Sequence, residues 1–134
     1  MIKQSICFLL LAAVLFSCNN TAPKEPVTNV EVATTFIRAV LDDDFKTAEK
    51  YLLKDETNLQ YFENSKRQYE GKGKVELSKY KSSEILINTL KEVNDSVTLI
   101  NYSNTYKKDN ATDLKLLRTN GRWLIDFKYT FVKE

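Results

Sequence analysis

Leu116-Leu117-Arg118-Thr119-Asn120-Gly121-Arg122-Trp123-Leu124-Ile125-Asp126 decides how the second half of this chain folds. Asn120-Gly121 between two apolar-rich runs is the strongest hairpin signal present, because both residues tolerate the positive φ of a type I′ turn. Beyond the turn, Trp123, Ile125, Phe127, Tyr129 and Phe131 alternate with Leu124, Asp126, Lys128, Thr130 and Val132, which predicts a strand running to residue 132. Upstream, Asp113–Arg118 reads as its partner, Lys107–Asn110 as a polar loop, and 97–106 and 83–90 as two earlier strands joined by a turn at Asn94-Asp95. From Val75 the chain reads as already extended, behind a solvated basic loop at Gly71-Lys72-Gly73-Lys74. That loop lacks the P-loop pattern, so it predicts no phosphate site.

The first half has helical period instead. Thr28-Asn29-Val30-Glu31 is a capping box, and Val30, Ala33, Phe36, Ile37, Val40 and Leu41 place apolar residues on one face from about 29 to 41. Asp42-Asp43-Asp44 interrupts this helix, and Phe45, Ala48, Tyr51 and Leu52 open a second. Asp43 or Asp44 is expected to cap that second helix. The run lacks the alternating ligands and glycine of a calcium loop, and no metal site is predicted. Leu59, Phe62 and Tyr69 mark a third helix over about 55–70. Helices followed by antiparallel strands indicate an α+β domain over residues 28–134, with the helices packed on a curved four-stranded sheet.

Residues 1–17 carry one positive charge, Lys3, followed by the apolar run Ile6–Phe16, which is too short to span a bilayer. They read as an export signal. Leu15-Phe16-Ser17-Cys18 resembles the lipobox of bacterial lipoproteins. The resemblance implies acylation of Cys18 as the new N-terminus, with a membrane attached through its lipid and residues 18–27 as lipidated cysteine and tether. Asn19 after Cys18 resembles the sorting pattern for the periplasmic face of the outer membrane.

Composition restricts the chemistry. Losing residues 1–17 removes one lysine and no acid from 20 basic and 18 acidic side chains, which leaves a formal charge of +1 and no reason to expect nucleic acid. Cys7 departs with the signal, so no disulfide can form within the domain. The chain contains no histidine, and that excludes Ser-His-Asp and Cys-His catalysis and histidine-ligated zinc. No cofactor is expected.

Two segments carry a family resemblance. Val32–Ala48, an apolar helix, a tight turn and a second helix, resembles the opening of nuclear transport factor 2-like (SnoaL-like, cystatin-like) domains, where a glycine usually occupies the position of Asp43. Leu116–Asp126 is similar to their closing hairpin. The resemblance implies a cone of helices on a curved sheet, a fold shared by enzymes, carriers and binding modules. In enzymatic members an aspartate sits in the cone, which makes Asp126 the catalytic candidate. Alternation, however, sets Asp126 opposite Trp123 and Ile125, and predicts a surface or edge carboxylate paired with a strand neighbour. Phe36, Tyr51, Tyr102, Tyr106, Trp123 and Phe127 are candidate pocket-lining residues. The expected function is a non-enzymatic envelope module for a protein partner or small apolar ligand. The alternatives are a small isomerase, dehydratase or hydrolase using Asp126, and an inhibitor or immunity-type protein.

Overall fold

Thr28 caps the first helix: its side chain and that of Glu31 close the predicted capping box around the first helical turn. The computed structural model describes Ala22 and residues 24–133. Residues 1–17, Cys18 and the tether residues Asn19, Asn20, Thr21 and Pro23 therefore lie outside the described residues. Helix α1 (Asn29–Leu41) turns Val32, Ala33, Phe36 and Ile37 into the core.

Helix α1 ends in a Schellman turn. The Asp44 N–H reaches the Ala39 carbonyl at 2.8 Å and the Asp43 N–H reaches Val40 at 3.1 Å. Asp43 is left in the left-handed region at φ 63°. Asp44 then caps α2 (Phe45–Glu49) by accepting the Thr47 N–H, and Asp55 caps α3 (Glu56–Glu70) through Asn58.

Residues 74–81, expected to be extended, form a further helix, α4 (Lys74–Lys81). Val75 and Leu77 suggest a period of two, but Val75 is 73% exposed, while Leu77 and Tyr80, three residues apart, pack against the core. The Arg38 guanidinium on α1 donates to the carbonyls of Tyr80, Lys81 and Ser83, which satisfies the C-terminal end of α4 from outside.

The strands β1 (Ile85–Asn94), β2 (Val97–Asn104), β3 (Thr112–Thr119) and β4 (Arg122–Asp126) form one antiparallel sheet in sequence order. Asn120 and Gly121 take φ 51° and 76°, as the predicted type I′ turn requires. In β1, register shifts flank Asn88 and Val93, the kind of irregularity that bends a sheet. Register aligns Thr98 with Leu116, Ile100 with Leu114 and Leu116 with Ile125. All five side chains are at most 1% exposed, and they form the floor on which the helices sit.

The last strand stops six residues before its predicted end. After Asp126 the chain enters a 3-10 turn (Phe127–Thr130), because the Lys128 N–H leaves the ladder for the Asn58 side-chain oxygen, 2.7 Å away. Phe127 then fits edge-on against Phe36 and Phe62, at 5.8 and 5.6 Å between ring centres. Contacts of this kind add about 0.5–1.5 kcal/mol each beyond the area they bury. Phe131 stacks on Tyr61 instead of continuing a strand face. No helix among the described residues is long and apolar enough to cross a membrane.

Candidate functional site

Two polar regions meet β4, one at each end. At the C-terminal end Asp126 is only 4% exposed, against the surface position that alternation predicts. The break after β4 brings it to α3, where the fully buried Asn58 amide donates to its Oδ1 at 3.1 Å. The same amide donates to Asp55 Oδ2 at 2.7 Å, and its oxygen accepts the Lys128 N–H. Lys128 Nζ lies 2.9 Å from Asp126 Oδ1 and 3.8 Å from Asp55 Oδ2. Lys115, the cross-strand neighbour in register, stands 3.9 Å from Asp126 Oδ2. The predicted pairing with a strand neighbour is present, but inside the molecule and not at its edge.

This cluster is closed. Both amide hydrogens and the oxygen of Asn58 are bonded, and both carboxylate oxygens of Asp126 face a cation or a donor. A buried carboxylate persists in the charged form only with such compensation. The arrangement fastens the start of α3 to the end of the sheet.

The other end of β4 is open. The Ile125 N–H donates to the Tyr51 carbonyl at 2.7 Å and the Leu53 N–H to the Ile125 carbonyl at 2.9 Å. These bonds stitch the segment after α2 alongside β4 and bring Lys50 and Tyr51 beside Arg122 and Trp123. Glu25, Pro26 and Val27 supply a third wall. The Val27 and Thr28 N–H groups both donate to one Glu31 carboxylate oxygen, at 2.9 and 3.0 Å, and this holds the incoming chain in place. These bonds hold the Glu31 carboxyl below its ordinary value.

The result is a cleft of about 430 Å³, within the range of small-molecule sites. Val32, buried, and the half-buried Tyr51 and Trp123 give it an apolar surface, and Lys50, Arg122 and Glu25 stand exposed at its rim. Among the described residues, no carboxylate lies within ion-pair distance of Lys50 or Arg122.

Of the six aromatic candidates, the structure therefore brings Tyr51 and Trp123 together in this cleft. Phe36 and Phe127 are core residues at 1% and 8% exposure. Tyr102 packs against the core, and desolvation pushes its hydroxyl up to about 12 despite the Thr112 hydroxyl beside it. Tyr106 lies elsewhere, edge-on to Tyr80 and under the ammonium groups of Lys79 and Lys107. Sequence reasoning missed Lys50, Arg122, Glu25 and Asn58. The first two sit directly beside aromatic residues that were singled out, and that adjacency was the available signal. Among the described residues no group of acidic or cysteine side chains is arranged to hold a metal ion.

The layout of helices on an open, curved sheet can be set against known structures. One from Shewanella oneidensis, an NTF2-like protein of unknown function, superposes with a TM-score of 0.51 at 10% identity over 72% of this chain and 89% of that one. One from Campylobacter jejuni, described as a "putative NTF2-like transpeptidase", gives 0.50 at 16% identity over 73% of this chain and 97% of that one. The fold is nuclear transport factor 2-like. Identities this low establish the architecture alone. No family model matches the sequence, and no curated protein matches it significantly. Within the NTF2-like frame, the closed cluster and the cleft are features of this chain's own side chains.

Proposed function

We propose that this protein is an envelope lipoprotein whose NTF2-like domain binds a small ligand in the Trp123 cleft and performs no chemistry on it. The observation that carries the reading is the cleft itself: a concave surface lined by both apolar and charged side chains, in which Lys50 and Arg122 are in no ion pair among the described residues. The enzymatic alternative needs a base able to take a proton from a bound substrate. Asp126, its natural candidate, is already committed to Asn58, Lys115 and Lys128. The fold by itself favours neither enzyme nor carrier.

Acylation of Cys18 completes the proposal. Two or three acyl chains anchor a protein stably where one holds it only reversibly. The tether, residues 18–27, leaves the domain beside the cleft, since Glu25, Pro26 and Val27 line it. The position assigned is the periplasmic face of the outer membrane, and the ligand is a small molecule and not a nucleic acid.

Native mass spectrometry of the mature chain, extracted in mild detergent from its own host's envelope, tests the reading. A defined mass beyond that of the anchored chain, lost in Trp123→Ala, is expected. A bare mass under conditions that retain weak ligands overturns it. Labelled palmitate entering the wild type and not Cys18→Ala is the matching result for the anchor, and equal labelling of both ends that part of the proposal.

A further inference from the structure

We propose that the occupant of the Trp123 cleft is a small organic anion: a carboxylate or phosphate ester joined to a planar or apolar body. The inference rests on the cleft being the binding site and adds the chemistry of what fills it.

The cleft mixes apolar and charged lining. Val32, Tyr51 and Trp123 supply apolar side chains, and Lys50 and Arg122 are exposed cations beside them. A ligand that satisfies both places an apolar face on the rings and a charged group against the cations. Tryptophan and tyrosine faces stack well on planar groups. The rim selects the sign of the charge. It holds two cations against one acid, Glu25, and neither cation is in an ion pair among the described residues.

The cations also differ in kind. The Arg122 guanidinium offers a planar fork that matches a carboxylate or phosphate, and the Lys50 ammonium adds a mobile point charge. Their source in the fold argues for convergence on a shared target. Arg122 follows the type I′ turn on β4, while Lys50 caps the end of α2, directly before the segment stitched to that strand through Tyr51 and Ile125. A neutral ligand leaves both cations without a partner. A cationic ligand meets a rim of the same sign, with one glutamate to offset it.

A lipid headgroup and a soluble metabolite can both carry this chemistry, and the experiment separates them. The mature, anchored chain is labelled with ¹⁵N in neutral-lipid nanodiscs, and the Trp123 indole and Gly121 amide resonances are followed. Both residues line the cleft, and Trp123 is the chain's sole tryptophan. The probes are benzoate, phenyl phosphate, the neutral near-isostere benzamide, and benzylammonium.

Benzoate and phenyl phosphate are expected to move both resonances saturably, and to bind more weakly as salt is added. Benzamide and benzylammonium are expected to bind about tenfold more weakly. Lys50→Gln and Arg122→Gln each weaken benzoate by about two- to fivefold, the range of solvent-exposed ion pairs. Glu25→Gln strengthens it by about twofold. That change of sign is what separates charge recognition from general damage to the fold.

Benzamide binding as tightly as benzoate, with all three variants unchanged, overturns the anion inference and leaves the cleft as a site. No movement with any probe overturns both. Movement on exchanging neutral for anionic phosphatidylglycerol nanodiscs, with no probe added, assigns the anion to a lipid headgroup. Movement with soluble probes alone assigns it to a soluble ligand.

Discussion

Asp126 and Trp123 stand three residues apart on β4, yet the regions they anchor are opposites. Around Asp126 the polar groups face one another: Asn58 bonds through its amide nitrogen and oxygen, and two lysines face one carboxylate. Around Trp123, Lys50, Arg122 and Glu25 line the cleft, and none of them is in an ion pair among the described residues. Burial draws attention to the first region, since a buried carboxylate is the usual mark of a catalytic site. Its internal pairing fits a structural role. The proposed ligand site falls in the second region, because charge outside an ion pair beside apolar surface is what a ligand can use.

The sharpest way to break the comparison is Asn58→Ala. The substitution leaves the Lys128 N–H and one oxygen each of Asp55 and Asp126 without their buried partner. Breaking a buried polar network of this kind costs about 3 kcal/mol. Urea unfolding is expected to show that loss, with benzoate affinity of the folded fraction unchanged. A loss below about 1 kcal/mol removes the structural assignment of the cluster. Trp123→Ala should do the reverse. The half-buried ring contributes less than a full core aromatic, so the stability loss is about 2 kcal/mol or less, while the native complex disappears. A folded Trp123→Ala protein that retains ligand would place the site elsewhere.

The difference between the regions also explains how much was legible in the sequence. Thr28 and Glu31, or Asn120 and Gly121, are neighbours along the chain, and their geometry is set by local backbone rules. The helical and strand halves, and so the α+β cone, could be read from such signals. Asn58 and Asp126 meet across 68 positions, and nothing near Asp126 announces that the strand breaks there. Helix α4 was hidden for another reason: Val75 mimics strand alternation although it faces solvent, and the end of the helix is satisfied by Arg38 from another element. For the cleft, Tyr51 and Trp123 were legible as aromatics, but the stitch between residues 51–53 and Ile125 that joins them was not.

Acid pH sharpens the contrast further. Asp55 is held below its ordinary value of 3.8, first by the Asn58 backbone N–H; desolvation, next in size, opposes this, and the Asn58 side chain and Lys128 add smaller lowering effects. A carboxyl with a lowered folded-state value binds its proton more readily when unfolded. Its stabilising effect is complete well above the ordinary value of 3.8 and is lost as pH falls through the folded value. Asp55→Asn keeps a competent cap but removes that titration. Urea midpoints from pH 6 to pH 3 should fall less steeply in Asp55→Asn than in the wild type. Parallel curves would show that Asp55 does not sense the cluster.

Asp43 supplies a third condition for a polar atom, neither closed nor open. Its Oδ1 is buried in the Schellman turn with no hydrogen-bond partner among the described residues, and its backbone sits at φ 63°. The left-handed region costs a side-chain-bearing residue about 1 kcal/mol, with aspartate at the lenient end. An unbonded buried oxygen adds to that cost. Glycine, the residue that the family resemblance places here, has neither problem, although it gives the unfolded chain more freedom, worth about 0.5–1 kcal/mol. The balance favours Asp43→Gly by a few tenths to about 1 kcal/mol. The Tyr69 hydroxyl offers an internal check. Burial, with the Asp43 charge next in size, pushes it up to about 12, while it donates to the Leu41 carbonyl at 2.8 Å in the same turn. Removing Asp43 should lower the Tyr69 titration as the melting temperature rises. A stability loss in Asp43→Gly would mean that the Asp43 carboxylate has a partner in solution and belongs with the closed cluster after all.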